Sequence, residues 1–71
     1  IAKSPQNYRA WYNLGNGLRE RGKFEESIES YSKSLSIRPN FTIALDNLGV
    51  ALTEKGQFER AIELFSKALK N

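Results

Sequence analysis

Apolar residues fall at helical spacing in four stretches of the chain. Trp11, Leu14, Gly15 and Leu18 sit at i, i+3, i+4 and i+7, and Phe24, Ile28, Tyr31 and Leu35 follow at similar spacing. The pattern returns as Leu45, Leu48, Gly49 and Leu52, then as Phe58, Ile62, Phe65 and Leu69. Turn signals separate the stretches. Gly22 and Gly56 stand where a helix should end, each after a basic residue (Arg21, Lys55) suited to the negative end of a helix dipole. Pro39 stops the second stretch. The spacing predicts an all-α chain with helices over 8–21, 24–37, 42–55 and 58–70. Such short connections require neighbouring helices to be antiparallel.

The second half repeats the first at an offset of 34 residues. Gly15 returns as Gly49, Gly22 as Gly56, Phe24 as Phe58 and Leu35 as Leu69. A fixed period in this range marks a stacked repeat array, an architecture that usually offers a concave surface to a partner. A glycine inside a helix costs about 1 kcal/mol relative to alanine, so its recurrence at 15 and 49 needs a reason. The expectation is close approach of a neighbouring backbone, with the small residues Ser27 and Ala61 facing it. Gly17 is a further cost carried by the first copy alone, because Ala51 stands at its place in the second.

At 71 residues the chain forms one small domain at most. The absence of Cys and His excludes disulfides, zinc sites and imidazole catalysis. It also suits a reducing compartment, so the cytoplasm is the expectation, although a chain that opens at Ile1 carries no readable targeting segment. Its net charge of +3 arises from 11 basic and 8 acidic residues mixed along the chain, not from the clustered stripe that nucleic acid favours. No apolar run approaches the length of a membrane span.

Trp11-Tyr12-Asn13-Leu14-Gly15-Asn16, followed by Gly22, Phe24, Ile28, Tyr31, Leu35 and Pro39, resembles a tetratricopeptide repeat. Leu45, Leu48, Gly49, Leu52, Gly56, Phe58, Ala61, Phe65 and Ala68 fit the same pattern. The resemblance covers nearly the whole chain. It implies a right-handed α-solenoid of helix hairpins, with 8–41 as one repeat, 42–71 as a second, incomplete at its end, and 1–7 as the tail of a preceding one. The departures are Leu18 for an aromatic, Ser27 and Ser34 for alanine, and Leu45 for tryptophan. Buried serines are expected to bond the carbonyl one turn back. An array normally needs about three repeats or caps, so the pair is expected to be a piece of a longer array or to self-associate through its open edges.

The resemblance further implies that the first helix of each repeat lines a concave groove. At about 100° per residue, Arg9, Asn13, Asn16 and Glu20 form one stripe flanked by Tyr12 and Arg19, opposite Trp11, Leu14, Gly15 and Leu18. The second copy offers Ile43, Asp46, Asn47, Val50 and Glu54. Asn13 and Asn47 recur at one place, and their amides can bond a peptide backbone or a neighbouring repeat. Ile43 and Val50 are apolar groups on a face expected to be wet, which suits a partner side chain or burial against the next helix. Arg9 and Arg19 suit a carboxylate on the partner. One subtype of the family grips a C-terminal carboxylate with Lys, Asn and Arg. Asn16 and Asn47 match two of its members, but Tyr12 stands where its first Lys would be.

Other chemistry is weaker. Gly15-Asn16-Gly17 lacks the third glycine and the preceding strand of a dinucleotide loop. Glu25, Glu26 and Glu29 read as a solvated helix face, with Glu29–Lys33 and Glu63–Lys67 pairs at i, i+4. Asn40-Phe41-Thr42 is a glycosylation acceptor pattern. The expected function is therefore a protein-interaction scaffold that takes a peptide or helix, with no catalytic residue, cofactor or metal. A self-associating array is the alternative, and nucleic-acid binding a distant third.

Overall fold

The computed structural model describes residues 7–70. Four helices follow one another: α1 (Tyr8–Glu20), α2 (Phe24–Ile37), α3 (Thr42–Lys55) and α4 (Phe58–Lys70). They match the periodicity closely. The proposed tail of a preceding repeat falls, except for Asn7, outside the described residues.

The same stop closes each first helix. Lys23 N–H bonds Leu18 C=O at 2.9 Å and Gly22 N–H bonds Arg19 C=O at 2.9 Å. One period later Gln57 N–H bonds Leu52 C=O at 2.8 Å and Gly56 N–H bonds Thr53 C=O at 3.0 Å. This double bond pattern needs a left-handed residue, and Gly22 (φ 79°) and Gly56 (φ 93°) supply it without a side-chain penalty. At the start, the Asn7 side chain accepts from Ala10 N–H at 3.0 Å, capping α1.

α1 packs on α2, α3 packs on α4, and α2 joins the two hairpins by packing on α3. α1 also touches α3. Tyr31, Leu48, Ala51, Leu52 and Ala61 form the buried cluster, with Tyr12, Ile28, Leu35, Leu64 and Phe65 packed against it. The core therefore lies at the junction between the repeats, and the outer flanks are open. Leu14 is 48% exposed, whereas its repeat mate Leu48 is 5% exposed. The expected buried stripe on α1 thus shrinks to Gly15, because among the described residues α1 has neighbours on one flank only.

Three expectations are corrected. A Cβ at Gly15 would lie 2.7 Å from the Tyr31 ring, and one at Gly49 would lie 2.7 Å from the Phe65 ring. The glycines thus admit an aromatic ring from the second helix rather than a neighbouring backbone. The buried serines do not bond one turn back. Ser27 Oγ donates to Gly15 C=O and Ser34 Oγ to Tyr8 C=O, both at 2.8 Å, so they stitch α2 to α1. Nor do Glu29 and Lys33 pair. Lys33 Nζ lies 4.9 Å from the centre of the Trp11 ring, a cation–π contact that also covers apolar surface.

Gly15→Ala should destabilise the protein by about 1–3 kcal/mol despite alanine's helix preference, because the fully buried Tyr31 ring cannot yield. Gly49→Ala should cost less, since Phe65 sits at the open flank. Gly17→Ala, with nothing within 4 Å, should stabilise by up to about 1 kcal/mol. Thermal melts of the three variants check this order.

Candidate concave interaction surface

The face shared by α1 and α3 is held by a chain of polar contacts. Arg19 Nε donates to the Tyr31 hydroxyl at 3.3 Å, and that hydroxyl donates to Asn16 Oδ1. Asn47 Nδ2 uses both hydrogens, one to Asn16 Oδ1 at 3.1 Å and one to the Tyr12 hydroxyl at 3.0 Å. Arg19 also approaches Glu54 at 3.8 Å. The bond to Tyr31, helped by the nearby Glu54 carboxylate, raises the Arg19 pKa above its ordinary value, so the cation is fixed.

Packing holds the chain in place from below. Tyr31 is fully buried between the hairpins, with only its hydroxyl reaching the concave side. The Tyr12 ring lies 6.0 Å from Tyr31 and meets Phe41 edge-on at 5.4 Å. At the corner between repeats, Arg38 stacks over Tyr8 and Phe41 and donates to the Tyr8 hydroxyl at 2.6 Å. That donation favours the phenolate and lowers the Tyr8 pKa from its usual value.

Tyr12, Asn16, Arg19, Asn47 and Glu54 are therefore joined in one network. Arg9, Ile43 and Asp46 are exposed and Val50 is half-buried, all on the same two helices. Asn13 stands apart. It is exposed and borders a depression with Leu14, Gly17, Leu18 and Arg21. Its repeat mate Asn47 reaches back to the preceding repeat, so the same position on α1 points away from α3. Tyr31 belongs to the network, although its periodicity marked it only as core. The available signal was its hydroxyl, which Phe65 lacks in the second copy.

Among the described residues, none bonds Asn16 Nδ2 or Asn47 Oδ1. One amide donor on α1 and one amide acceptor on α3 thus lack a partner among the described residues, on two side chains bonded to each other. No group of acidic residues there could hold a metal ion, and no described helix is long and apolar enough to cross a membrane. A separate depression at the α1–α2 turn, lined by Gly22, Phe24, Glu25 and Lys55, carries an ion pair between Lys55 and Glu25 at 3.0 Å.

Two family models settle the kinship. Residues 8–41 match one model described as tetratricopeptide repeat, and residues 42–71 match a second with the same description. The chain belongs to the tetratricopeptide repeat family. Such repeats are generally protein-interaction modules and typically non-catalytic. Among solved structures, the chain is similar to one titled "Crystal structure of MamA", with a TM-score of 0.92 and 36% identity over 99% of this chain. Another, titled "Crystal structure of MamA protein", gives a TM-score of 0.91 at 36% identity and the same coverage of this chain. The chain spans 41% and 38% of those two chains. No curated protein matches it.

Asn47→Ala should cost about 1 kcal/mol of stability, since it strips partners from Tyr12 and Asn16 across the repeat junction. Asn13→Ala, at the same repeat position, should stay within about 0.5 kcal/mol. Urea denaturation of both variants separates the two tetratricopeptide positions.

Proposed function

We propose that the chain is a protein-interaction module that takes an extended peptide or helical segment of a partner across the α1–α3 face. The observation that carries this reading is the free pair Asn16 Nδ2 and Asn47 Oδ1, set on half-buried residues that the network already holds. A free donor and a free acceptor on two side chains bonded to each other suit a peptide amide. The ordered side chains add little entropy cost on binding, which favours affinity. Ile43, 49% exposed, supplies an apolar contact next to them. Arg9 and Asp46, both exposed, supply charges of opposite sign for the partner's flanks. Tyr12, Arg19, Val50 and Glu54 form the floor and walls. Asn13 contributes only to a ligand long enough to pass over α1.

The carboxylate-gripping variant of this reading lacks support. The position of its first Lys is Tyr12, which accepts from Asn47. Nucleic acid is also disfavoured, because Arg19 and Lys55 lie against carboxylates.

Peptides selected from a random display library on this chain should lose at least about fivefold in affinity with Ile43→Ala or Asn16→Ala. Glu63→Ala, on the exposed side of α4, should leave binding unchanged. Fluorescence anisotropy reads the result. Equal binding by all three variants would overturn the groove.

A further inference from the structure

Asn16 and Gly17 form the one Asn-Gly step in this sequence, and the second repeat carries Val50-Ala51 in its place. An Asn followed by Gly is the step most open to deamidation, because no side chain shields the Gly nitrogen from the Asn carboxamide. The space here is open as well. A Cβ added at Gly17 would meet nothing within 4 Å, and the residue is exposed. Gly15 and Gly22 have structural uses, an aromatic ring against one and a left-handed turn at the other. Gly17 has neither, and it weakens the helix that contains it.

The fold holds this step shut in two ways. Inside α1, the Gly17 N–H is directed to the Asn13 carbonyl four residues back, and a helical ψ of about −42° at Asn16 turns the Gly17 nitrogen away from Cγ. The polar network then pins the side chain. Asn16 Oδ1 accepts from the Tyr31 hydroxyl and from Asn47 Nδ2, the latter at 3.1 Å. Two donors on Oδ1 would also stabilise the oxyanion formed by attack on Cγ. They act, however, only in the arrangement that keeps the nitrogen out of reach, so restraint outweighs activation. Release requires α1 to open at its centre, a local event of the kind that leaves the rest of a fold in place.

We propose that Asn16-Gly17 is a deamidation site gated by the opening of α1. In the opened helix the Gly17 nitrogen, stripped of its proton by hydroxide, attacks Asn16 Cγ. The N–Cγ bond forms, the Cγ–Nδ2 bond breaks, and Nδ2 takes a proton from water and leaves as ammonia. Water then adds to the five-membered imide ring. Breaking the ring nitrogen's bond to Cγ gives aspartate, and breaking its bond to the Asn16 main-chain carbon gives isoaspartate. The net reaction consumes one water and releases one ammonia. Aspartate keeps the fold, because a carboxylate accepts from Tyr31 and Asn47 at least as well as the amide does. It replaces the free Nδ2 donor with a charged acceptor. Isoaspartate adds a backbone atom to α1, so Leu18 and Arg19 lose their places, and with them the α1 stop and the Arg19 bond to Tyr31. The effect of either product on a partner rests on the peptide-binding reading; the conversion itself does not.

The test follows the 71-residue chain at mildly alkaline pH by mass spectrometry with peptide mapping. The amide-to-acid mass gain should localise to Asn16, and should build up at least about tenfold more slowly in the folded chain than in guanidinium. Gly17→Ala should suppress it in both states. Asn47→Ala, which removes one donor to Asn16, should speed the folded reaction about fivefold. Glu63→Gly weakens the protein on the exposed side of α4 and should leave the rate unchanged. A folded chain that never converts, equal rates folded and unfolded, or conversion spread evenly over the other asparagines would overturn the proposal. Equal acceleration by Asn47→Ala and Glu63→Gly would overturn the local gate, since global unfolding would then control the reaction. Asn16→Asp should keep the helical circular dichroism signal and lose at least about fivefold in affinity for the selected peptides. Unchanged affinity there would sink the peptide-binding reading and leave the mass result standing.

Discussion

Everything in this molecule depends on a ring lying where a side chain is missing. Tyr31 occupies the space beside Gly15, closer than any Cβ would permit. That contact sets how near α2 comes to α1, and the separation lets Ser27 and Ser34 reach backbone carbonyls on α1. From the same place the Tyr31 hydroxyl reaches through to the concave side, where it accepts from Arg19 and donates to Asn16. One residue therefore links helix spacing, the core at the repeat junction and the polar chain on the candidate binding face. A helix-weakening glycine at position 15 is the cost of that arrangement.

The helices and their stops were legible in the sequence because they depend on local physics. Four apolar stripes of helical period, two left-handed glycines and Pro39 fixed the boundaries to within about a residue. Side-chain partners were less legible, because they depend on a neighbour that a single-helix projection leaves out. Asn13 and Asn47 occupy the same place in the period, yet among the described residues Asn47 alone faces the helix of an earlier repeat, where it bonds Tyr12 and Asn16. Lys33 lies over Trp11 rather than toward Glu29, since an aromatic face from the adjacent helix competes with an exposed ion pair worth a few tenths of a kcal/mol. Periodicity alone makes the serines alanine replacements tolerated by self-bonding. In fact their hydroxyls bind the partner helix, which periodicity cannot reveal.

The two copies divide their labour through small differences. The first copy has Tyr31, Tyr12 and Asn16, so its half of the concave face is a bonded polar network. The second has Phe65, Asp46 and Val50 in those positions, so its half is charged and apolar without an equivalent network. Shared residues hold the stack, and unshared ones give the face its chemical variation.

The saturation of the two amides has one more consequence. Asn47 spends both N–H groups inside the protein and Asn16 Oδ1 already receives two donors, so neither amide can turn over without breaking bonds. The unoccupied pair is therefore locked as one donor and one acceptor. A neutral amide satisfies both atoms. A carboxylate would satisfy Asn16 but set its lone pairs against Asn47, and an ammonium would do the reverse. For the peptide site proposed above, the consequence is a preference for the uncharged middle of a chain over its charged ends.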